Sequence, residues 1–379
     1  MNKLILISGY FIVASFLFAC HDGREVESPE EGKVDHEKNA IQMVMDFKYD
    51  PSISRSEQPS IKIKSVKKEM ALSRSSLNEA SPVDLYHVEF ESSRGDGFAM
   101  VVSDEKLNSI LCYVPEGALE DTCYIEPMAE MIRNMRDVIS EKLRAKDSTL
   151  SRGVNWQYTE IGPLLKTMWH QRSPYNNACP LKNCSGNNGR ALVGCGGLAT
   201  AMIIAYCPTS EALARWPNLR EYSKIAHLSA SDPLAPEIAR FIRDVADGCS
   251  SDYGCSATST GIGHRNKFLN SIGYEDKKIY KSSNNINIAN FLGGIRWNKP
   301  TQARGDQRRH KDGHTWVIDG FRGWRSPSWT SVYTPEDHLF HCNWGWGSDY
   351  GWYASCLTPN AQTSSFHYEN SFIYFNWPF

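Results

Sequence analysis

The sequence predicts an α+β protein in which a small mixed domain precedes a larger one that runs from helices to antiparallel strands. Three observations carry this. Apolar and polar residues alternate with period two over residues 86–90, ahead of a turn and an apolar return at 98–102, apolar residues recur at helical spacing after Pro127, Gly194 and Ala235, and β-branched and aromatic runs fill 314–319 and 338–343. At 379 residues the chain is longer than one average domain and can bury a sizeable core.

In chain order, the first element is a processing signal. Lys3 supplies a positive n-region and Leu4 to Ala19 a 16-residue apolar h-region, shorter than a membrane span requires. Leu17-Phe18-Ala19-Cys20 resembles the lipobox of bacterial lipoproteins, whose cysteine is lipidated and becomes the new N-terminus. Residues 1–19 are therefore expected to be removed. Lipid on Cys20 would hold an exported protein at the outer membrane or cell surface without a spanning helix. Residues 20–38 read as an acidic tether: from His21 to Lys38 seven acidic residues stand against three basic ones, with Ser28, Pro29 and Gly32 among them.

Residues 39–150 read as a compact α+β domain. Tyr86, Val88 and Phe90 alternate with polar residues, Arg94-Gly95-Asp96-Gly97 offers a turn, and Phe98 to Val102 return as the second strand of a hairpin. Met128, Met131, Ile132, Met135, Val138 and Ile139 then repeat at helical spacing behind Pro127, which suits a first helical position; the stripe reads as core. Between Arg144 and Gly153 the single larger apolar residue is Leu150, so this polar run is the expected exposed and cleavable junction.

Residues 151–379 form the second domain. Gly194 to Tyr206 is predicted as a buried helix, with Leu198, Met202 and Ala205 on one face and Ala199 and Ala201 keeping neighbours close. A further helix is expected over Ala235 to Ala246, and strands over 314–319 and 338–343.

Charge and cysteine content narrow the function. A formal charge of −2 without a long basic stripe excludes a nucleic-acid partner. An exported environment permits disulfides, and Cys112 with Cys123, Cys179 with Cys184 and Cys249 with Cys255 are close enough in sequence to pair, though spacing leaves connectivity open. A zinc site from Cys179, Cys184, Cys249 and Cys255 lacks the tight Cys-x2-Cys pattern. No metal or other cofactor is expected.

The candidate chemistry centres on Gly194-Cys195-Gly196-Gly197, because a helix N-terminus and a nearby imidazolium stabilise a thiolate. Cys195 would attack a carbonyl, His314 would take and return the proton, and Asn343 would orient the imidazole. Trp344 would cover the His314–Asn343 hydrogen bond from water. Gln171 would donate its amide to the oxyanion. Asp319, five residues after His314, reads as structural, as do His338 and His341.

These segments resemble the streptopain family of bacterial papain-like cysteine peptidases. The resemblance rests on Trp-x-Gln-x-x-Pro-Tyr-Asn at 169–176 with Cys179-Pro180, Gly194-Cys195-Gly196, Tyr253-Gly254-Cys255, Gly313-His314 through Asp319-Gly320-Phe321, and Asn343-Trp344-Gly345-Trp346-Gly347, in the family's order. It implies a papain-like two-subdomain fold behind an inhibitory prodomain. It also implies Cys195 as nucleophile, His314 as base, Gln171 at the oxyanion hole, and Asn343 with Trp344 in support. The expected activity is that of a cysteine endopeptidase made as a zymogen, acting on protein or peptide substrates through an acyl-enzyme. Two alternatives stand beside it: an inactive surface binding protein, and an amidase or transferase of cell-wall peptides.

Overall fold

Alternation builds the first sheet. In a computed structural model, which describes residues 34–47, 49, 58, 60–71, 83–119, 135, 139, 142–143, 157–274, 277–282, 294–307, 313–325, 338–354 and 368–375, β1 (Ile61–Ala71), β2 (Val83–Ser92), β3 (Gly95–Ser103) and β4 (Asn108–Val114) form an antiparallel meander. The predicted hairpin is β2–β3. Its strands run to Ser92 opposite Gly95, so the turn closes slightly earlier than the glycines suggested. Gly97 lies within β3, where a Cβ would come 2.5 Å from the Val114 carbonyl oxygen.

Helix α1 (His36–Asp46) covers this sheet with Ala40 and Val44. It takes in His36, Glu37 and Lys38, the last residues of the expected tether, because their helix is anchored by burial of positions further along it. Of the Met-rich stripe, Met135 and Ile139 are helical and buried in the same core. Its other members, the signal, Cys20 and the junction lie outside the described residues.

The second part opens with β5 (Gln157–Ile161) and a small hairpin, β6 (Leu181–Cys184) with β7 (Gly189–Arg190). Helix α2 (Cys195–Tyr206) follows, buried on every side from Gly196 to Ala205. Its small residues permit that. A Cβ on Gly197 would stand 2.9 Å from the Ala246 Cβ of α5 (Ala235–Gly248), which packs alongside through its apolar face. Between them are α3 (Ser210–Arg215), capped by the Thr209 hydroxyl accepting from the Ala212 N–H at 3.0 Å, and α4 (Leu219–Tyr222); α6 (Ile262–Ser271) comes after.

Strands β8 (Lys277–Ser282), β9 (Thr301–Gln307), β10 (Gly313–Arg325), β11 (Leu339–Asn343), β12 (Gly351–Ala354) and β13 (Tyr368–Phe375) complete the fold. The order is β1-β2-β3-β4-β12-β11-β10-β9-β13-β8, with β5 also on β10. The two groups of strands thus share one sheet, joined where Cys112 and Tyr113 pair with Tyr353 and Trp352. Residues from His36 onward form one compact unit.

Strand β10 positions the site. It pairs with β9 over 313–318 and with β5 over 321–325, and is irregular against β11 between Ile318 and Gly320. Val317 packs into the helical core around α2, while Trp316 and Ile318 pack into the sheet core. The strand therefore runs along the seam between helices and sheet.

The pairings that proximity left open are not the one formed among the described residues. Cys184 bonds to Cys255 across 71 residues, while Cys112, Cys179 and Cys249 are free and buried. Cys179 is held in the helical core and the chain then turns outward into the β6–β7 hairpin, so neighbours in sequence part in space. A disulfide leaves neither sulfur as a thiolate, so the four cysteines do not make a zinc set.

Candidate active site

Gly194 sets the geometry of the nucleophile. Its φ of +89° belongs to glycine, and a Cβ there would stand 2.8 Å from both Cγ2 and the carbonyl oxygen of Thr258. This turn leaves Cys195 as the first residue of α2, half-buried, where the helix presents its positive end.

His314, second in β10 and 7% exposed, stands beside that thiol, close enough for its ring and charge to favour the thiolate. Its Nε2 lies 2.8 Å from the carbonyl oxygen of Trp344. A carbonyl only accepts, so Nε2 carries the proton and Nδ1 is left for the thiol. The imidazole lies among three indoles: Trp316 at 6.3 Å and 7°, Trp344 at 6.3 Å and 30°, and Trp346 at 6.0 Å and 27°. These rings shield the imidazole from water.

Burial pushes the Cys195 thiol up, but the hydrogen bond and charge of His314, the Thr315 N–H and the charge of Arg265 outweigh it, lowering the pKa to about 6. A substantial thiolate population at neutral pH follows.

The expectation that Asn343 orients the imidazole is corrected to its neighbour's main chain. Asn343 donates Nδ2–H to the Thr167 carbonyl at 2.6 Å and accepts the Gly345 N–H at 3.2 Å. It pins the turn after β11. Gly345, at φ +74°, bends the backbone there, and the Trp344 carbonyl becomes the histidine's partner. Trp344 itself is fully buried, its ring 6.3 Å from the imidazole, and it has no His314–Asn343 bond to cover.

Gln171 sits in a segment tied down residue by residue. Trp169 donates Nε1–H to the Ile225 carbonyl at 3.1 Å, the Tyr175 hydroxyl accepts from the Leu228 N–H at 2.9 Å, and Asn176 donates to the Ala191 carbonyl at 3.0 Å. The Gln171 carbonyl accepts the Val193 N–H at 3.2 Å, two residues before the thiol. The preceding His170 forms a β-bridge with Trp346, whose indole lies on His314. Burial, with the charges of His227 and Arg172, lowers the His170 pKa to about 4. A neutral His170 then accepts the Arg172 N–H on Nδ1 at 3.2 Å. The Gln171 side-chain amide bonds none of the described residues.

Asp319 holds a different histidine. Its Oδ1 accepts from His341 Nδ1 at 2.5 Å, its Oδ2 accepts the Leu165 N–H at 2.8 Å, and His341 Nε2 is 2.6 Å from the Tyr49 hydroxyl. The structural reading of Asp319 and His341 stands. Sequence reasoning passed over Thr315, Trp316 and Arg265. A residue acting through its main chain, or buried by distant packing, leaves no local pattern.

Residues 208–353 match the model of the Peptidase C10 family, a stretch that contains His314, Asn343 and Trp344 and begins after Gln171 and Cys195. Among solved structures, a cysteine-to-alanine variant of the prointerpain A fragment 39-359 of Prevotella intermedia matches with a TM-score of 0.51 and 18% identity, covering 82% of this chain and 100% of that one. At that identity the likeness is one of fold, and that fold is the expected α+β, papain-like one. No curated protein matches the chain.

Proposed function

We propose, from the premise that this cysteine-type peptidase carries a Peptidase C10 sequence over 208–353, that it is a surface-anchored endopeptidase made as a zymogen. The observation that carries the reading is the Cys195 thiol at the start of α2 with His314 beside it, the imidazole held by the Trp344 carbonyl at 2.8 Å.

The Cys195 thiolate attacks the substrate carbonyl, and the oxyanion is met by the Cys195 backbone N–H and the Gln171 amide. His314, as imidazolium, gives its proton to the leaving amine, which departs as the thioester forms. The neutral ring then takes a proton from water, whose oxygen displaces the sulfur. Throughout, the Trp344 carbonyl holds the Nε2–H and favours the charged ring. Asn343 serves by fixing that carbonyl.

The first domain, 39–150, is the inhibitory partner in this reading, and 151–379 the peptidase. Its loop after β4 docks beside the Trp346 turn: the Glu116 carbonyl accepts the Asp349 N–H at 2.8 Å and its carboxylate accepts the Tyr350 hydroxyl at 2.6 Å. Glu116 also stands 3.7 Å from His227. Cutting within 144–153 would separate the two in sequence. Residues 1–19 act as signal, and lipid on Cys20 anchors the exported chain.

Mass spectrometry of the full chain incubated with unfolded protein tests this. Under mild reductant, cleavage within 144–153 and degradation of the substrate are expected, both stopped by iodoacetamide, and the N-terminal peptide of membrane-extracted protein should carry lipid on Cys20. A reduced chain that cuts neither itself nor the substrate would refute the peptidase reading; an unlipidated Cys20 would refute the anchor alone. Gln171→Ala should lower kcat about 100-fold with little change in KM, the loss of one oxyanion donor. Steady-state kinetics on a peptide substrate would show it, and a change confined to KM would remove Gln171 from that role.

A further inference from the structure

Arg265, in the first turn of α6, has no exposed surface at all. Burying a guanidinium is costly unless its surroundings use it. Its Nη1 donates to Gln302 Oε1 at 2.7 Å and lies 3.4 Å from Thr315 Oγ1. Both contacts lead to the thiol. Thr315 follows His314, and its backbone N–H lies close enough to the sulfur to favour the thiolate. Gln302 passes the connection on, donating Nε2–H to Thr200 Oγ1 at 3.0 Å, and that hydroxyl donates to the Gly196 carbonyl at 2.7 Å. One guanidinium thus reaches the residues next to His314 in β10 and next to Cys195 in α2.

We propose that Arg265 is a positioning residue for Cys195: it holds the Thr315 backbone and the first turn of α2 in register about the sulfur, and its fixed charge faces the thiolate. This rests on Cys195 being the nucleophile. The neighbourhood leaves little freedom to rearrange, since a Cβ on Gly196 would stand 2.8 Å from the Thr260 Cβ, and Thr260 is itself bonded to Ser251 at 2.8 Å. A cation near the positive end of a helix is repelled by it, and a negative charge on the nearby sulfur relieves that repulsion. The other thiol that Arg265 faces, Cys249, is pushed by burial up to about 12 and stays neutral. His314 is the other charge acting on Cys195, and Arg304, opposite Thr315 on β9, is bonded to the Thr260 carbonyl at 3.3 Å. The guanidinium keeps its proton at every working pH, whereas the imidazole gains and loses one during turnover.

The pH profile of iodoacetamide alkylation at Cys195, read by mass spectrometry on the full chain, separates this from a role in folding alone. The unaltered chain should show a midpoint near about 6, because alkylation follows the thiolate and falls as pH drops below the thiol pKa. Arg265→Gln retains a donor for Gln302 without the charge, and should move the midpoint up by about one pH unit, slowing alkylation at pH 6 roughly fivefold. Arg265→Lys keeps the charge without the fork; its midpoint should stay while kcat falls about tenfold. An Arg265→Gln profile that superposes on the parent overturns the proposal. Should that variant not fold, Gln302→Met, which removes the 2.7 Å anchor, is read in the same way: an upward shift supports the proposal and an unmoved midpoint overturns it. Alkylation reads the sulfur directly, so a shifted profile in a chain that cleaves no peptide would defeat the peptidase reading and leave this one standing.

Discussion

Replacing Cys195 by alanine is expected to lower peptide hydrolysis by about 10⁶-fold, and His314→Ala by a similar factor, with the double variant no slower than either. In the proposed mechanism the sulfur is the atom that bonds the substrate, and the other free thiols among the described residues are all buried. Cys112, Cys179, Cys207, Cys249 and Cys342 are buried, and burial pushes the first four up to about 12, so those remain protonated at neutral pH. Without His314 the thiol loses its hydrogen bond and its nearest positive charge, and the leaving amine loses its acid. Stability should separate the two variants. Cys195 is half-buried at a helix start, so alanine costs little; removing His314 leaves the Trp344 carbonyl without its donor and opens a hole among three indoles, destabilising by about 1–3 kcal/mol. Single-turnover kinetics with denaturant unfolding reads both. Turnover within a hundredfold of the parent in either variant would remove the dyad.

The second large effect falls on a residue with no side chain. Gly194→Ala should destabilise the fold by about 2–4 kcal/mol and lower kcat more than tenfold, because the same backbone both strains and carries Cys195. Its φ of +89° with ψ of 137° suits glycine alone, and the added Cβ would press on Thr258 at 2.8 Å. Thr258 cannot yield freely: its hydroxyl donates to the Leu192 carbonyl at 2.7 Å and accepts the Gly254 N–H at 3.1 Å. Gly186→Ala is the control, since φ there is +86° with nothing within 4 Å of the Cβ, so it reports backbone strain without the clash. Equal unfolding midpoints for the two variants would show that space at 194 is not limiting.

Much of this site could be read before any coordinates because its signals are local. Gly-Cys-Gly-Gly ahead of an apolar run announces a thiol at a helix start, and α2 begins at Cys195. The β2–β3 hairpin follows from alternation and glycines within a few residues of each other. The imidazole's partner was misplaced by one residue, since side-chain identity marks Asn343 while the oxygen used belongs to the Trp344 backbone. Any residue could have supplied it. Arg265 sits in a polar helical stretch, and only the packing of α6 against β9 and β10 shows that its guanidinium is enclosed. The Cys184–Cys255 link was missed for the same reason: contact across 71 residues is a property of the fold, not of spacing.

That link encloses the whole run from the β6–β7 hairpin through α2, α3, α4 and α5, so the reactive sulfur rides on a segment whose two ends are stapled together. Closing a loop of this length restricts the unfolded chain by about 4 kcal/mol. Ambient reductant therefore acts on the molecule in two opposed directions. Too little lets the working sulfur oxidise, and too much slackens the scaffold that aims it.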